Sequence, residues 1–212
     1  MNVCFRGSAP ELLDRYGYAI GQEYAAKRRA NPSHTFQWPQ REGQSVYTVA
    51  KTALEVMTQR RCAYCDGHPI TAMGEDQIDH FRPKSREEFY ELVCAWDNLF
   101  LICSACNKAK LNKWDNALLR PDEPGFSFSR FFTYRTDTGA LEPNAAGSSE
   151  DRHRSQRTIE ILDLNRIGAC EGRRQMVRLI LAAVSDEDLA NVGCRYLIPL
   201  CRPALESGSR VT

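Results

Sequence analysis

No apolar run in the sequence approaches the roughly 20 residues that a membrane-spanning helix needs, which excludes a helical anchor. Met1 to Pro10 lacks the basic-then-apolar layout of a secretory signal, so a cytoplasmic location is expected. Internal repeats and low-complexity tracts are missing, which argues against a solenoid or a disordered tether. There is no Gly-rich phosphate loop, so the sequence carries no P-loop nucleotide site of its own. A surplus of one charge is lacking too: 28 Lys and Arg against 27 Asp and Glu leave a formal charge of +1. Phosphate binding rests largely on excess Lys and Arg. A nucleic-acid partner would therefore have to be met by local cation clusters, with help from another subunit.

Cysteine, by contrast, is abundant, at nine in 212 residues. In a small secreted chain that would suggest disulfides, but in a cytosolic one it points to metal. Cys62 and Cys65 form one Cys-x-x-Cys pair, and Cys103 and Cys106 form a second. Two short loops that each deliver two sulfurs to one side of an ion are what a closed tetrahedral zinc site needs. The loop between the pairs is longer than the roughly 15 to 20 residues of a plain zinc ribbon, so something is inserted there. The insert holds Ile78-Asp79-His80-Phe81-Arg82-Pro83-Lys84, with the single Asp-His dipeptide of the chain. Cys4, Cys94, Cys170, Cys194 and Cys201 are read as buried or incidental thiols.

Apolar periodicity predicts helices over Pro10 to Arg29 and Val46 to Gln59, the second leading into Cys62. A short strand is expected near Pro69 to Ala72, a turn at Gly74, a strand over Gln77 to Phe81, an apolar run over Trp96 to Ile102, and a helix over Ser104 to Trp114. Phe131 to Arg135 and Ala140 to Glu142, joined by Asp137-Thr138-Gly139, give a hairpin signal. Arg154 to Leu162 and Gly168 to Val184 read as amphipathic helices. The fold class is α+β, divided into a helical extension over 1–60, a strand-strand-helix core with the zinc knuckles over 61–120, and a hairpin and helical region over 121–212.

The positive charge is bunched at Arg60 and Arg61, at Arg82, Lys84 and Arg86, and at Lys108, Lys110 and Lys113, with a further arginine set in the C-terminal third. Arg82, Lys84 and Lys110 are candidates for contacting phosphate oxygens. His80, with a side chain that titrates near neutrality, is the natural general base. Trp38 and His34 are read as packing and solvated residues rather than as parts of a site.

Cys-Ala-Tyr-Cys, Ile-Asp-His-Phe-Arg-Pro-Lys, Trp96-Asp97-Asn98-Leu99 and Cys-Ser-Ala-Cys-Asn-Lys-Ala-Lys, in that order, resemble an HNH endonuclease of the zinc-bound ββα-metal type. The resemblance implies that His80 is the general base and that Asp79 and Asn107 are protein ligands of one catalytic divalent metal. It gives Asn98 the structural task of tying the loop to the backbone near the base. Asn107 departs from the family's name, which has His there. Carboxylate plus amide oxygen suits Mg²⁺ or Mn²⁺. The helix after Pro10, the Asp-His-Phe-Arg-Pro-Lys wording and Thr158 to Asn165 are similar to PtuB-like HNH subunits of Septu-type and retron-linked anti-phage systems. In those systems the nuclease works beside an ABC-like ATPase; for this chain the expected partner is nucleic acid, DNA first, with duplex DNA, single strands, RNA and tRNA all open as the form of the substrate. Two functions stay open: a metal-dependent DNA endonuclease of such a defence complex, and a catalytically silent zinc-knuckle module that binds nucleic acid or protein. A homing or restriction nuclease acting alone ranks below a partnered one, since the flanks look too short for a sequence-reading domain.

Overall fold

A computed structural model describes residues 1–73, 75–183 and 185–206. The first helix, α1 (Glu11–Ala30), follows Pro10, with Glu11 and Asp14 in its first turn and Lys27, Arg28 and Arg29 in its last, charges that complement the helix dipole. It buries Leu12, Leu13, Gly17, Ile20, Gly21 and Tyr24. A two-residue hairpin, β1 (Gln40–Arg41) and β2 (Gln44–Ser45), turns through Glu42 and Gly43, both with positive φ. Ser45 then caps α2 (Val46–Thr58) by accepting from the Thr48 amide, and Gln59 ends that helix in the left-handed region.

The centre is an antiparallel pair, β3 (Asp76–His80) and β4 (Leu99–Cys103), in which Asp79 lies opposite Phe100 and His80 opposite Leu99. All five β4 residues are buried, so that strand forms the floor of the core. It runs directly into α3 (Ser104–Lys110), completing strand, strand, helix. The chain continues through α4 (Phe128–Phe131), the hairpin β5 (Phe132–Tyr134) and β6 (Leu141–Pro143), α5 (Ser149–Leu162), α6 (Ile167–Ala182), α7 (Asp186–Asn191) and α8 (Ile198–Glu206). One apolar cluster runs through the fold, from Met1 to Cys201.

The fold is α+β, with local departures from the sequence expectation. Ile70–Met73 is a 3-10 turn instead of a strand, since a short apolar run carries no periodicity that separates the two. The turn expected at Gly74 lies outside the described residues. Leu111, with φ of 50°, stops α3 short of Trp114. The Ser148 cap starts α5 before Arg154.

Part of the positive charge is consumed by structure. Arg61 is buried and donates to the carbonyls of Ala190 and Val192, and Arg173 to those of Gly139 and Leu164. Asp66, in the first knuckle, accepts from the Arg195 amide at 2.7 Å and its guanidinium at 3.0 Å. The Arg61 and Asp66 bonds fasten the C-terminal segment to the cysteine region.

Candidate active site

The four knuckle sulfurs lie within 4.8 Å of one another, and Cys65 Sγ is 3.9 Å from Cys103 Sγ. Zn–S bonds of about 2.3 Å would place tetrahedral sulfurs about 3.8 Å apart, so the cluster fits a structural zinc ion. Cys62, Cys103 and Cys106 are buried, and Cys65 is partly so. The Cys103 amide donates to Cys62 Sγ at 3.4 Å. Hydrogen bonds from Cys106, Cys62 and Cys65 lower the Cys103 thiol, whereas burial raises that of Cys62 and the hydrogen bond to Cys103 raises that of Cys106, so the four titrate as one group.

On the other side of β3 an open cleft of about 680 Å³ is lined by Trp38, Tyr47, Gln77, Asp79, His80, Lys84 and Asn107 among others. Two elements, β3 and α3, therefore deliver Asp79, His80 and Asn107 to one space. Gln77 and Asp79, two apart on β3, point to the same face. Asn107 comes from the first turns of α3, and its Nδ2 donates to Gln77 Oε1, which leaves its Oδ1 with no hydrogen bond among the described residues.

His80 is buried, and its Nε2 lies 3.0 Å from the Val93 carbonyl. A carbonyl can only accept, so Nε2 carries the proton and Nδ1 keeps a lone pair. Trp38 stacks on the imidazole with centroids 6.2 Å apart and planes at 27°, and Phe36 meets it edge-on. Burial first, then the Lys84 and Lys110 cations, lower the imidazole pKa to about 3. The ring is thus neutral at physiological pH. Asn98 spends its whole amide on the backbone: Oδ1 accepts from the Arg82 amide at 2.8 Å, and Nδ2 donates to the Arg82 and Leu92 carbonyls, both at 3.1 Å.

The three basic candidates separate. Lys84 lines the cleft and is partly buried, its ammonium pKa lowered by burial and by Lys110 despite Asp79 nearby. Arg82 is held through its backbone by Asn98 and is not among the cleft-lining residues. Lys110 does not face solvent: it is 0% exposed, and its ammonium donates to Asp79 Oδ1 at 3.1 Å and to the His80 carbonyl at 2.8 Å. The Tyr64 hydroxyl donates to Asp79 Oδ2 at 2.7 Å. Each carboxylate oxygen therefore keeps acceptor capacity for a cation. Lys110→Met should destabilise the fold by about 3–5 kcal/mol, because it strands Asp79 as a buried charge without its cation. Urea unfolding of the zinc-loaded variant measures this, and an unchanged midpoint would show that the pair carries no such weight.

Gln77, Tyr64, Tyr47 and the Val93 carbonyl were not among the residues expected from sequence, and Trp38 was expected only to pack. Gln77 had a readable signal, since period 2 puts it on the face of Asp79. The carbonyl had none.

No helix among the described residues is long and apolar enough to cross a membrane. The HNH endonuclease family matches residues 62–113. Along most of its length the chain is also similar to a protein of Vibrio cholerae serotype O1 biovar El Tor whose name proposes it as an HNH endonuclease of retron Vc95. The two are 28% identical over 180 residues, covering 82% of this chain and 81% of that protein. A zinc-type cysteine cluster beside a cleft that gathers Asp79, His80 and Asn107, in a segment the family matches, identifies residues 62–113 as an HNH endonuclease domain.

Proposed function

We propose that this chain is a metal-dependent endonuclease that hydrolyses DNA phosphodiester bonds, acting as the nuclease of a bacterial anti-phage complex of the retron or PtuB-like Septu kind beside an ATPase subunit. The convergence of Asp79, His80 and Asn107 on one open cleft carries the reading. Asp79 and the free Oδ1 of Asn107 would hold the cation, a hard oxygen set that suits Mg²⁺ or Mn²⁺. When bound, such a cation neutralises charge on the phosphoryl group and the leaving oxygen. His80 takes the proton of the attacking water at Nδ1, while the Val93 carbonyl holds Nε2–H and so stabilises the imidazolium that forms. Lys84, at the cleft wall, is placed to meet phosphate oxygens. A silent zinc-knuckle module would need only the four cysteines, and the retained base and oxygen donors speak for catalysis.

The likeness to a retron-named protein supports the defence setting. Exposed Ile167, Leu179 and Leu200 give the C-terminal helices apolar surface for docking the ATPase. Supercoiled plasmid incubated with zinc-loaded protein should be cut when Mg²⁺ or Mn²⁺ is added, and Asp79→Ala should be inactive with its zinc content unchanged. No cutting with either cation, both alone and with the ATPase encoded beside the gene, would sink the proposal.

A further inference from the structure

Two glycines on the buried face of α1 mark a close approach that neither the zinc site nor the cleft explains. A Cβ added at Gly17 would sit 2.7 Å from the Cys94 carbonyl oxygen, and one at Gly21 would collide with the Glu91 carbonyl. Glycine is a poor helix former, so its presence twice, one turn apart, fits helix backbone laid directly on the 91–94 backbone. The two carbonyls between those contact points are both in use. Leu92 accepts from Asn98 Nδ2 at 3.1 Å, and Val93 pairs with His80 Nε2 at 3.0 Å. The same helix grips the loop's other end, where the Tyr24 hydroxyl donates to the Lys84 carbonyl at 2.9 Å and the Tyr24 ring meets Tyr90 edge-on. Past α1, Phe36 and Trp38 close over the imidazole.

We infer that α1 is a positioning element of the active site. Gly17 and Gly21 set the depth of segment 91–94, and through the Val93 carbonyl they fix the Nε2–H form of His80 that leaves Nδ1 to accept a proton. Neither glycine touches substrate or reacting atoms. Residues 62–113 hold the chemistry, but the ruler that aligns the base lies on α1, about sixty residues before His80 in the chain. The catalytic half of this inference rests on His80 being the base, as proposed above; the coupling from glycine to imidazole does not.

Gly21→Ala and Gly17→Ala in the full zinc-loaded chain test it. Nitrogen NMR reports which ring atom carries the proton, and with four histidines in the chain the His80 signal is assigned by its loss in His80→Ala. The wild type should show the Nε2–H form. Gly21→Ala should show a mixture with Nδ1–H, and kcat for plasmid cleavage should fall about 10- to 100-fold with KM within about twofold, since small misplacements cost that much. Gly17→Ala should do the same more weakly. A purely structural role would lower the melting temperature without moving the tautomer or kcat. A folded Gly21→Ala with wild-type tautomer and kcat overturns the inference. Should Gly21→Ala not fold, Gly17→Ala decides by the same readouts, and if neither folds with zinc bound the glycines are structural and the inference falls. An active His80→Ala would remove the base while leaving the tautomer result to judge the coupling separately.

Discussion

His80→Ala should cut supercoiled plasmid at least about 100-fold more slowly than the wild type, the low end of what a positioned base contributes, while keeping its zinc. The two effects separate because the imidazole and the sulfur cluster lie in different places. His80 ends β3 under the wall of Phe36 and Trp38, whereas the thiols gather around Cys103 at the start of α3. Deleting the ring leaves an apolar void beside two aromatics, so some stability is lost as well. That loss cannot mimic the kinetic effect if the assay is run well below the variant's melting temperature. Full activity in a folded His80→Ala would remove the proposed base, and Lys84 and Asp79 would then have to be reconsidered as the groups that handle the proton.

Most of the core was legible because its signals are local. A Cys-x-x-Cys pair declares itself within four residues, and the order Asp79-His80 then Asn107 needs only the strand-strand-helix frame to bring the groups together. Lys110, expected to contact phosphate, is instead an internal cation, and its spacing carries that answer. It follows Cys106 by four residues, so it shares the inward face of α3 with a zinc thiol. Charge favours a solvent reading, and the buried Asp79 carboxylate and His80 carbonyl that accept from it are brought near only by the fold. Arg61 and Arg173 were hidden for the same reason, since their acceptors are carbonyls far along the chain. The Val93 carbonyl marks the limit of what a sequence can disclose: every residue has one, and only β3 pairing and the seat under α1 aim this one at His80.

Cys103→Ser should leave no folded, soluble, zinc-containing protein. Binding at a structural zinc site is worth roughly 10–16 kcal/mol, against a typical domain stability of about 5–15 kcal/mol, so weakening the ion's hold by one thiolate removes much of what keeps the fold closed. The position aggravates the loss. Cys103 is the last residue of β4 and the N-cap of α3, so an ion held there would join the floor of the core to the helix that carries Asn107 and Lys110. Its partner knuckle is tied through Asp66 to Arg195 and the Cys194 amide, which extends the damage to the C-terminal segment. Serine offers a hard, protonated oxygen where the ion prefers a soft anion. Zinc content by mass spectrometry and thermal unfolding by circular dichroism provide the check: His80→Ala should keep its zinc and a cooperative transition, and Cys103→Ser should lose both. A zinc-free Cys103→Ser that melts like the wild type would show that packing among Cys62, Tyr64, Phe100 and Leu101 closes the fold unaided, and the cysteine cluster would then need a purpose other than holding it together.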